Sequence, residues 1–397
     1  MNAVDIRIFA HSWLADWNHG NAHFLRGWAR ALVRRGHRLK LYEALPGPWG
    51  DWSLANLVRE EPLAAMATIA EFRATYPELE VEFYPLGPAG EVWLPTAVQG
   101  AEVVIVHEWN RPALFHSLAK LRRRHGFVLL LHDTHHRGQT DPDRLAALPL
   151  KDLDGVLAFG ESLRRLYERR WGVRAFTLHE AADVEVFAPG ARTGKREGVL
   201  WIGNWGDEER TGALQEYLLQ PAQRLPGIRF AVHGVRYPPR GLAELRARGI
   251  GFHGYLPNLR AAAAYRACAV ALHIPRAPYA GALPGIPTIR VFEALACGAA
   301  LITAPWSDEE GLFQVGTDYV LAKNGGECTA MIAELNRDTG AARRLGNQGR
   351  ARIVQRHTCA HRARELEAIV AEIAGATGNG VAHGAMAGGA AREGVAR

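Results

Sequence analysis

The chain has 397 residues, 48% hydrophobic and 22% charged, which is enough apolar material for two full cores and sets two domains as the starting expectation. Lys plus Arg exceed Asp plus Glu by 47 to 41, a net charge of +6. The excess is mild, sits largely on Arg-rich helical stretches such as 121–124 and 164–170, and includes no aromatic-interleaved basic motif, which argues against a nucleic-acid partner. Cys268, Cys297, Cys328 and Cys359 form no close pair, so neither a zinc knuckle nor a redox pair is suggested and a reducing compartment fits. The apolar run Val4–Ala10 is short and broken by Asp5 and Arg7, so neither a signal peptide nor a membrane span is expected, and the protein is assigned to the cytoplasm.

Short β-like runs alternate with helical patterns over nearly the whole length, which predicts an α/β fold: parallel sheets covered by helices. In the first half the expected strands are Ile6–Ala10, Arg38–Glu43, Glu80–Tyr84, Val103–His107, Val128–His132 and Val156–Phe159. The first helix is the clearest: from Leu25, apolar Trp28, Ala29, Leu32 and Val33 fall at i+3, i+4, i+7 and i+8 before Gly36 ends the run. The polar, Gly-rich stretch Pro189–Gly198 reads as a linker. Expected strands then follow at Val199–Gly203, Arg229–His233, Gly251–Gly254, Val270–Ile274, Ala300–Thr303 and Asp318–Leu321, with closing helices at Ala330–Asn336, Ala341–Gln355 and Ala360–Ile373. The expected organisation is an N-terminal Rossmann-like domain over 1–188, the linker 189–198, a C-terminal Rossmann-like domain over 199–357 and a helix over 358–374 that can pack back on the first domain. The Gly/Ala-rich tail 375–397 is expected to lack structure.

Ligands of open α/β sheets bind beyond the carboxyl ends of the strands, and four loops there carry unusual residues. The loop His11–Asn21 ends in Gly20 and Asn21 at a helix start, where free N–H groups favour an anion, or where the glycine merely permits a turn. The segment His132, Asp133, Thr134, His135, His136, Arg137 concentrates three imidazoles, a carboxylate and a guanidinium. Hydrogen bonding to a sugar or phosphate fits it better than a metal site, because no ligand spacing typical of metals is present; alternatively one His caps the strand and the rest are exposed. His107 and Glu108 in the preceding strand's loop have the same character and could line the same cleft on the acceptor side, with His135 and His136. The second half opens with Gly203 and Asn204 in a Gly-containing loop, and Arg210 near the next helix start could grip phosphate or pair with Glu208 or Glu209. The fourth segment, Pro284–Gly298, predicts a short helix with Pro287 in its first turn and Gly298 at its stop. Arg290 and Glu293 are neighbours on its surface; a buried Glu293 could accept from ribose hydroxyls or simply pair with Arg290.

Phe292-Glu293-Ala294-Leu295-Ala296-Cys297-Gly298, taken with the loops before it, resembles the retaining glycosyltransferases of double-Rossmann (GT-B) architecture known as glycosyl transferases group 1 or family 4, in particular the spore-protein-like branch. The resemblance covers roughly Ile6 to Ile373 and is strongest over Val199–Gly298. It implies two Rossmann-like domains facing across a cleft and a nucleoside diphosphate sugar as donor. It further implies that Glu293 holds the donor ribose, Arg210 the phosphates and Gly20 the pyrophosphate loop, that His132 meets the transferred sugar, and that the turn containing Tyr255 and Leu256 reads the base. Two positions depart from the pattern: Gly285 stands where the first glutamate of the E-x7-E motif is expected, and Asn204 where a second basic residue is expected.

The resulting expectation is a metal-independent, retaining glycosyltransferase that needs no cofactor beyond its donor substrate. Its catalytic candidates are His132, Asp133 and Arg210, and its donor-site candidates Gly20, Asn21, Gly203, Asn204, Arg210, Tyr255, Leu256, Arg290 and Glu293. The acceptor would be a glycan, a lipid or a small molecule, with peripheral membrane contact left open. Two alternatives stand beside it: a non-catalytic nucleotide-sugar or glycan-binding protein, consistent with Gly285, and an epimerase or phosphorylase on the same architecture.

Overall fold

The computed structural model describes residues 3–45, 53–190, 196–206 and 208–386, with side chains through residue 376. Among the described residues thirteen strands form two sheets. The first contains β1 (Asp5–Phe9), β2 (Arg38–Ala44), β3 (Val81–Tyr84), β4 (Val103–His107), β5 (Val128–Asp133), β6 (Gly155–Ala158) and β7 (Ala175–Thr177), in the spatial order β3-β2-β1-β4-β5-β6-β7. The second contains β8 (Val199–Ile202), β9 (Phe230–His233), β10 (Gly251–Phe252), β11 (Val270–His273), β12 (Ala300–Thr303) and β13 (Val320–Leu321), in the order β10-β9-β8-β11-β12-β13. Every pairing is parallel, with registers such as Ile6↔Val103 and Val270↔Val199. The central strands are buried along their whole length, β4 and β11 at every residue, as sheets covered by helices on both faces require.

The helix expected from Leu25 is α1 (Ala22–Arg34). Its apolar stripe, with Phe24, Leu25, Trp28 and Leu32, lies in the core that also holds Ile6, Ile8 and Ile105. Four expected strands end one residue early, at Phe9, Ala158, Ile202 and His273, while two run one residue further, to Ala44 and Asp133. β7 was not anticipated: three residues give too short an alternation to read. Pro287 does not occupy the first turn of its helix; it precedes the cap, Thr288, of Ile289–Ala296, and Gly298 follows the C-cap with φ +64°. The first two closing helices start earlier than expected and end one residue later, running Gly325–Arg337 and Thr339–Arg356.

The last helix corrects the expected tail. It runs Cys359–Met386, so the stretch from 375 to 386 is helical, while 387–397 lies outside the described residues. It packs along α1, where Arg35 Nε and His37 Nε2 reach Glu367 at 2.5 and 2.9 Å. Residues 191–195 of the expected linker lie outside the described residues. Arg196, just beyond them, donates to the carbonyls of Tyr265 and Cys297 at 3.3 and 2.8 Å.

The two sheets meet through more than the chain crossings. Tyr279, Leu283 and Ile286 leave the second sheet's side and join the hydrophobic cluster of Phe159, Leu163 and Tyr167 on the first. Among the described residues no helix is long and apolar enough to cross a membrane.

Candidate functional site

In each sheet the strand order reverses beside the first strand: β1 lies between β2 and β4, and β8 between β9 and β11. Chain leaving such neighbouring strands goes to opposite faces, which opens a crevice at the carboxyl ends. The two crevices face one another, and the loops that line them are those after β1, β4, β5, β8 and β11.

On the first sheet's side the crevice is walled with imidazoles. Asn21, capping α1, donates from Nδ2 to Thr134 Oγ1 at 2.9 Å and lies 3.0 Å from His107 Nε2. His107 meets His132 edge-on, ring centroids 5.2 Å apart. His11 Nε2 and His19 Nδ1 share a 2.9 Å hydrogen bond, and both rings contact Trp109. Burial drives these groups to the neutral form: His19 and His132 are pushed down to about 3 and His136 to about 4, while His11, His107 and His135 fall well below their ordinary value. A neutral imidazole can donate and accept at once. Both ring nitrogens of His132 are buried without a partner.

The two carboxylates of this wall are differently placed. Asp133 accepts from the backbone N–H of His135 at 2.9 Å and from the Tyr167 hydroxyl at 2.7 Å. With both oxygens engaged away from the crevice, it anchors the His132–Arg137 loop and is not positioned as a reacting group. Glu108 is buried beneath Arg137, which it binds at 2.7 Å and which stacks on Trp109, 3.4 Å from the ring centre. Glu108 therefore holds the loop from behind and does not face an acceptor. His135 and His136 are stacked in tandem, centroids 4.0 Å apart, and His136 reaches across to 3.7 Å from Glu209 of the second sheet's side.

On the second sheet's side, Gly203 and Asn204 follow β8, and the Arg210 guanidinium folds back over them to the Asn204 carbonyl and Oδ1 at 3.2 and 3.1 Å. Burial, reinforced by the nearby Arg276 guanidinium, pushes Arg210 down to about 9, and its Nε is buried without a partner. Arg210 does not pair with Glu208 or Glu209: Glu209 binds Arg276 at 3.0 Å. Asn204 Nδ2 donates across the crevice to Asn18 Oδ1 at 2.9 Å.

Glu293 has no exposed surface. Its Oε2 binds Arg290 Nη1 at 2.6 Å and lies 3.4 Å from the Tyr265 hydroxyl; its Oε1 lies 3.2 Å from His23 Nδ1 on α1. Because His23 Nε2 accepts the backbone N–H of Asp183 at 2.9 Å, the ring carries its proton on Nδ1 and donates it to Glu293. Burial opposes charge on Glu293, but Arg290 and His23 outweigh it and hold the carboxyl below its ordinary range. Gly20 lies against this helix start, where a methyl group on it would stand 3.0 Å from Ile289 and 3.1 Å from the Arg290 guanidinium. The turn expected to read a base is also engaged: Tyr255 donates to Asp16 Oδ1 at 2.5 Å, and Leu256 packs against the core. Gly285 has φ +84°, a conformation that disfavours other residues, and the Glu310 carboxylate fills the space beside it. Glu310 itself bridges to His179 Nε2 at 2.7 Å and to the N–H of Glu161 at 2.9 Å.

The structure thus brings His132, His107, Asn21, Gly203, Asn204, Arg210, Arg290 and Glu293 to one crevice and sets Asp133 and Glu108 behind it. Sequence reasoning missed His11, His19, His23, Arg276 and Glu310. Arg276, three residues past β11, could have been found by searching every strand's carboxyl end, but which strand borders β8 is not written in the sequence. Among the described residues no group of three or more His, Cys, Asp or Glu side chains is arranged to hold a metal. A large concavity lies elsewhere, at the amino ends of β8, β9 and β12 beside Arg196, Arg229 and Arg343, and borders residues outside the described set.

Residues 210–368 match a family model described as glycosyl transferase-like, and a comparison with curated proteins found no match. Among solved structures, the chain is similar to sucrose-phosphate synthase from Thermosynechococcus elongatus, with a TM-score of 0.62 and 16% identity over 94% of this chain and 100% of that one. It is similar to a glycosyltransferase from Rickettsia africae, with a TM-score of 0.64 and 11% identity over 94% of this chain and 99% of that one. It is also similar to Anabaena HepE, solved in complex with UDP-glucose, at 0.65 and 12% over 93% of this chain and 99% of that one. At such identities the likeness establishes the fold: two Rossmann-like domains facing across a cleft.

Proposed function

We propose that this chain, with a glycosyl transferase-like domain over residues 210–368 inside the GT-B fold, transfers a sugar from a nucleoside diphosphate sugar to an acceptor hydroxyl. The observation that carries the reading is Arg210. A guanidinium held at the carboxyl end of β8, shifted down to about 9 and left with a buried unpartnered Nε, is an unfinished ion pair, and a diphosphate completes it.

On this reading the diphosphate lies between Arg210 and the start of Ile289–Ala296, whose free N–H groups add to the attraction. As the anomeric bond breaks, negative charge grows on the leaving diphosphate, and Arg210 stabilises that charge more than it stabilises the ground state. The neutral His132 and His107 meet the transferred sugar by hydrogen bonds, and a donor phosphate oxygen takes the acceptor proton, which gives retention at the anomeric carbon without a protein nucleophile. Glu293 accepts from the ribose only if His23 swings away from Oε1, so donor binding exchanges one neutral donor for another at a carboxylate that stays charged. The acceptor is a glycan, a lipid or a small molecule, no metal is required for this route, and the reaction is assigned to the cytoplasm.

A second reading is favoured by one observation: Glu293 is already satisfied by Arg290, His23 and Tyr265. A protein that binds nucleotide sugars or glycans without turnover would keep that arrangement undisturbed. Thermal-shift measurements against a panel of nucleotide sugars and nucleoside diphosphates, followed by assay of donor turnover, separate the readings. The glycosyltransferase reading expects a shift for one donor that Arg210→Ala and Glu293→Ala both abolish, together with turnover by the unaltered protein. A shift without turnover supports the binder, and no shift with any donor or diphosphate refutes nucleotide-sugar binding and leaves only the glycan-binding form of the second reading.

A further inference from the structure

Asn204 Oδ1 is the meeting point of two cations. Arg210 Nη1 reaches it at 3.1 Å from the helix that follows β8, and Arg276 Nη2 reaches it at 3.4 Å from the loop that follows β11. A neutral amide oxygen is a weak partner for one guanidinium and a poor one for two. The amide is fixed in this orientation from the other side of the crevice, because its Nδ2 donates to Asn18 Oδ1. The sole acid at this spot among the described contacts, Glu209, binds Arg276 at 3.0 Å and is itself approached by His136 at 3.7 Å. Glu209 thus pairs with Arg276 alone, and among the described hydrogen bonds Arg210 has only the neutral Asn204 oxygens, at the carboxyl ends of the switch strands β8 and β11. Around it lie further unmet polar atoms: Arg210 Nε, His273 Nδ1 and Thr303 Oγ1 are all buried without partners.

We propose that Arg276 is a second cationic ligand of the donor diphosphate, supplied from the β11 loop to a place where the β8 loop carries only the neutral Asn204. The inference rests on the nucleotide-sugar reading above and adds to it the residue that shares the phosphates with Arg210. A diphosphate oxygen takes the place of Asn204 Oδ1 between the two guanidiniums, and Glu209 keeps Arg276 extended toward the crevice until the donor arrives. The same arginine opens the segment Ala277–Ala280, which seats Tyr279 against Phe159 and His136 of the facing domain, so phosphate binding and contact between the domains share one short element.

The test is titration calorimetry on the full chain with nucleosides and their diphosphates for several bases, comparing the unaltered protein with Arg276→Ala, Arg276→Lys and Arg210→Ala. The expected result is one diphosphate bound more tightly than its nucleoside, with Arg276→Ala weakening the diphosphate about ten- to a hundred-fold and leaving the nucleoside unchanged. Arg276→Lys recovers part of the loss. If Arg276→Ala keeps the diphosphate affinity while Arg210→Ala loses it, the assignment of Arg276 is overturned and the nucleotide-sugar reading stands. Equal weakening of nucleoside and diphosphate assigns Arg276 a structural task and also overturns it. If the unaltered protein binds no diphosphate, the two readings fall together.

Discussion

His132 is a buried imidazole with two unmatched nitrogens, packed against Phe24, Trp28 and His107. An unsatisfied polar group in such a place costs about 1–3 kcal/mol, so the residue is explained by what it does and not by what it stabilises. His132→Phe is accordingly expected to leave the unfolding free energy unchanged or to raise it, while donor turnover falls at least ten-fold; urea denaturation and a turnover assay check the two halves. A variant that unfolds the protein and keeps its specific activity would assign His132 to the core. Glu293 contrasts with it. Both of its oxygens are engaged: two of its partners, Arg290 and Tyr265, are on its own domain, and the third, His23, belongs to the other. Residue type and spacing pointed to Glu293, Arg290, Arg210 and His132; they could not tell that Asp133 and Glu108 turn backward, because the direction of a side chain at a strand end depends on which helix lies behind it.

The element that joins the halves is the segment from Arg276 to Ile286. It leaves β11, inserts Tyr279, Leu283 and Ile286 into the first domain's core, and meets the start of helix Glu161–Trp171 at Gly160. A methyl group at Gly160 would overlap the Ile286 side chain, so Gly160→Ala forces the two apart. Small-angle scattering is expected to show a larger radius of gyration for this variant, with secondary structure retained by circular dichroism and weaker donor binding; an unchanged radius with unchanged binding would show that Ile286 simply repacks. Contacts between the halves come from this segment, from Glu310, from the last helix and from the crevice pairs His23–Glu293, Asn204–Asn18 and Tyr255–Asp16. That helix was legible only to Ile373, since the Gly- and Ala-rich sequence beyond carries no apolar stripe to signal its continuation to Met386.

Across the whole molecule, buried titratable groups of two kinds bracket the stability. The imidazoles of His19, His132 and His273 are pushed down by burial to about 3, so each withholds a proton that the unfolded chain binds below about 6.5, and stability is lost as pH falls from there toward 3. Glu43 and Glu180 are pushed up by burial to about 7 and about 8. Their contribution is full below the ordinary carboxylate value and is lost as pH rises through those values. The melting temperature is therefore expected to peak near neutral pH and fall on both sides, which a calorimetric scan from pH 5 to pH 9 reads directly; a flat profile would mean that these groups are solvated.

The sequence by itself determined the alternation of strands and helices, the two-domain α/β class and the short helix bearing Glu293, because periodicity and local punctuation are properties of neighbouring residues. Only the tertiary structure decided that β1 borders β4 and β8 borders β11, and hence which loops meet. Those pairings join residues far apart in the chain, such as Asn21 with Thr134, His23 with Glu293, and Asn204 with Arg276. Such contacts depend on how whole sheets stack, and no local propensity encodes that.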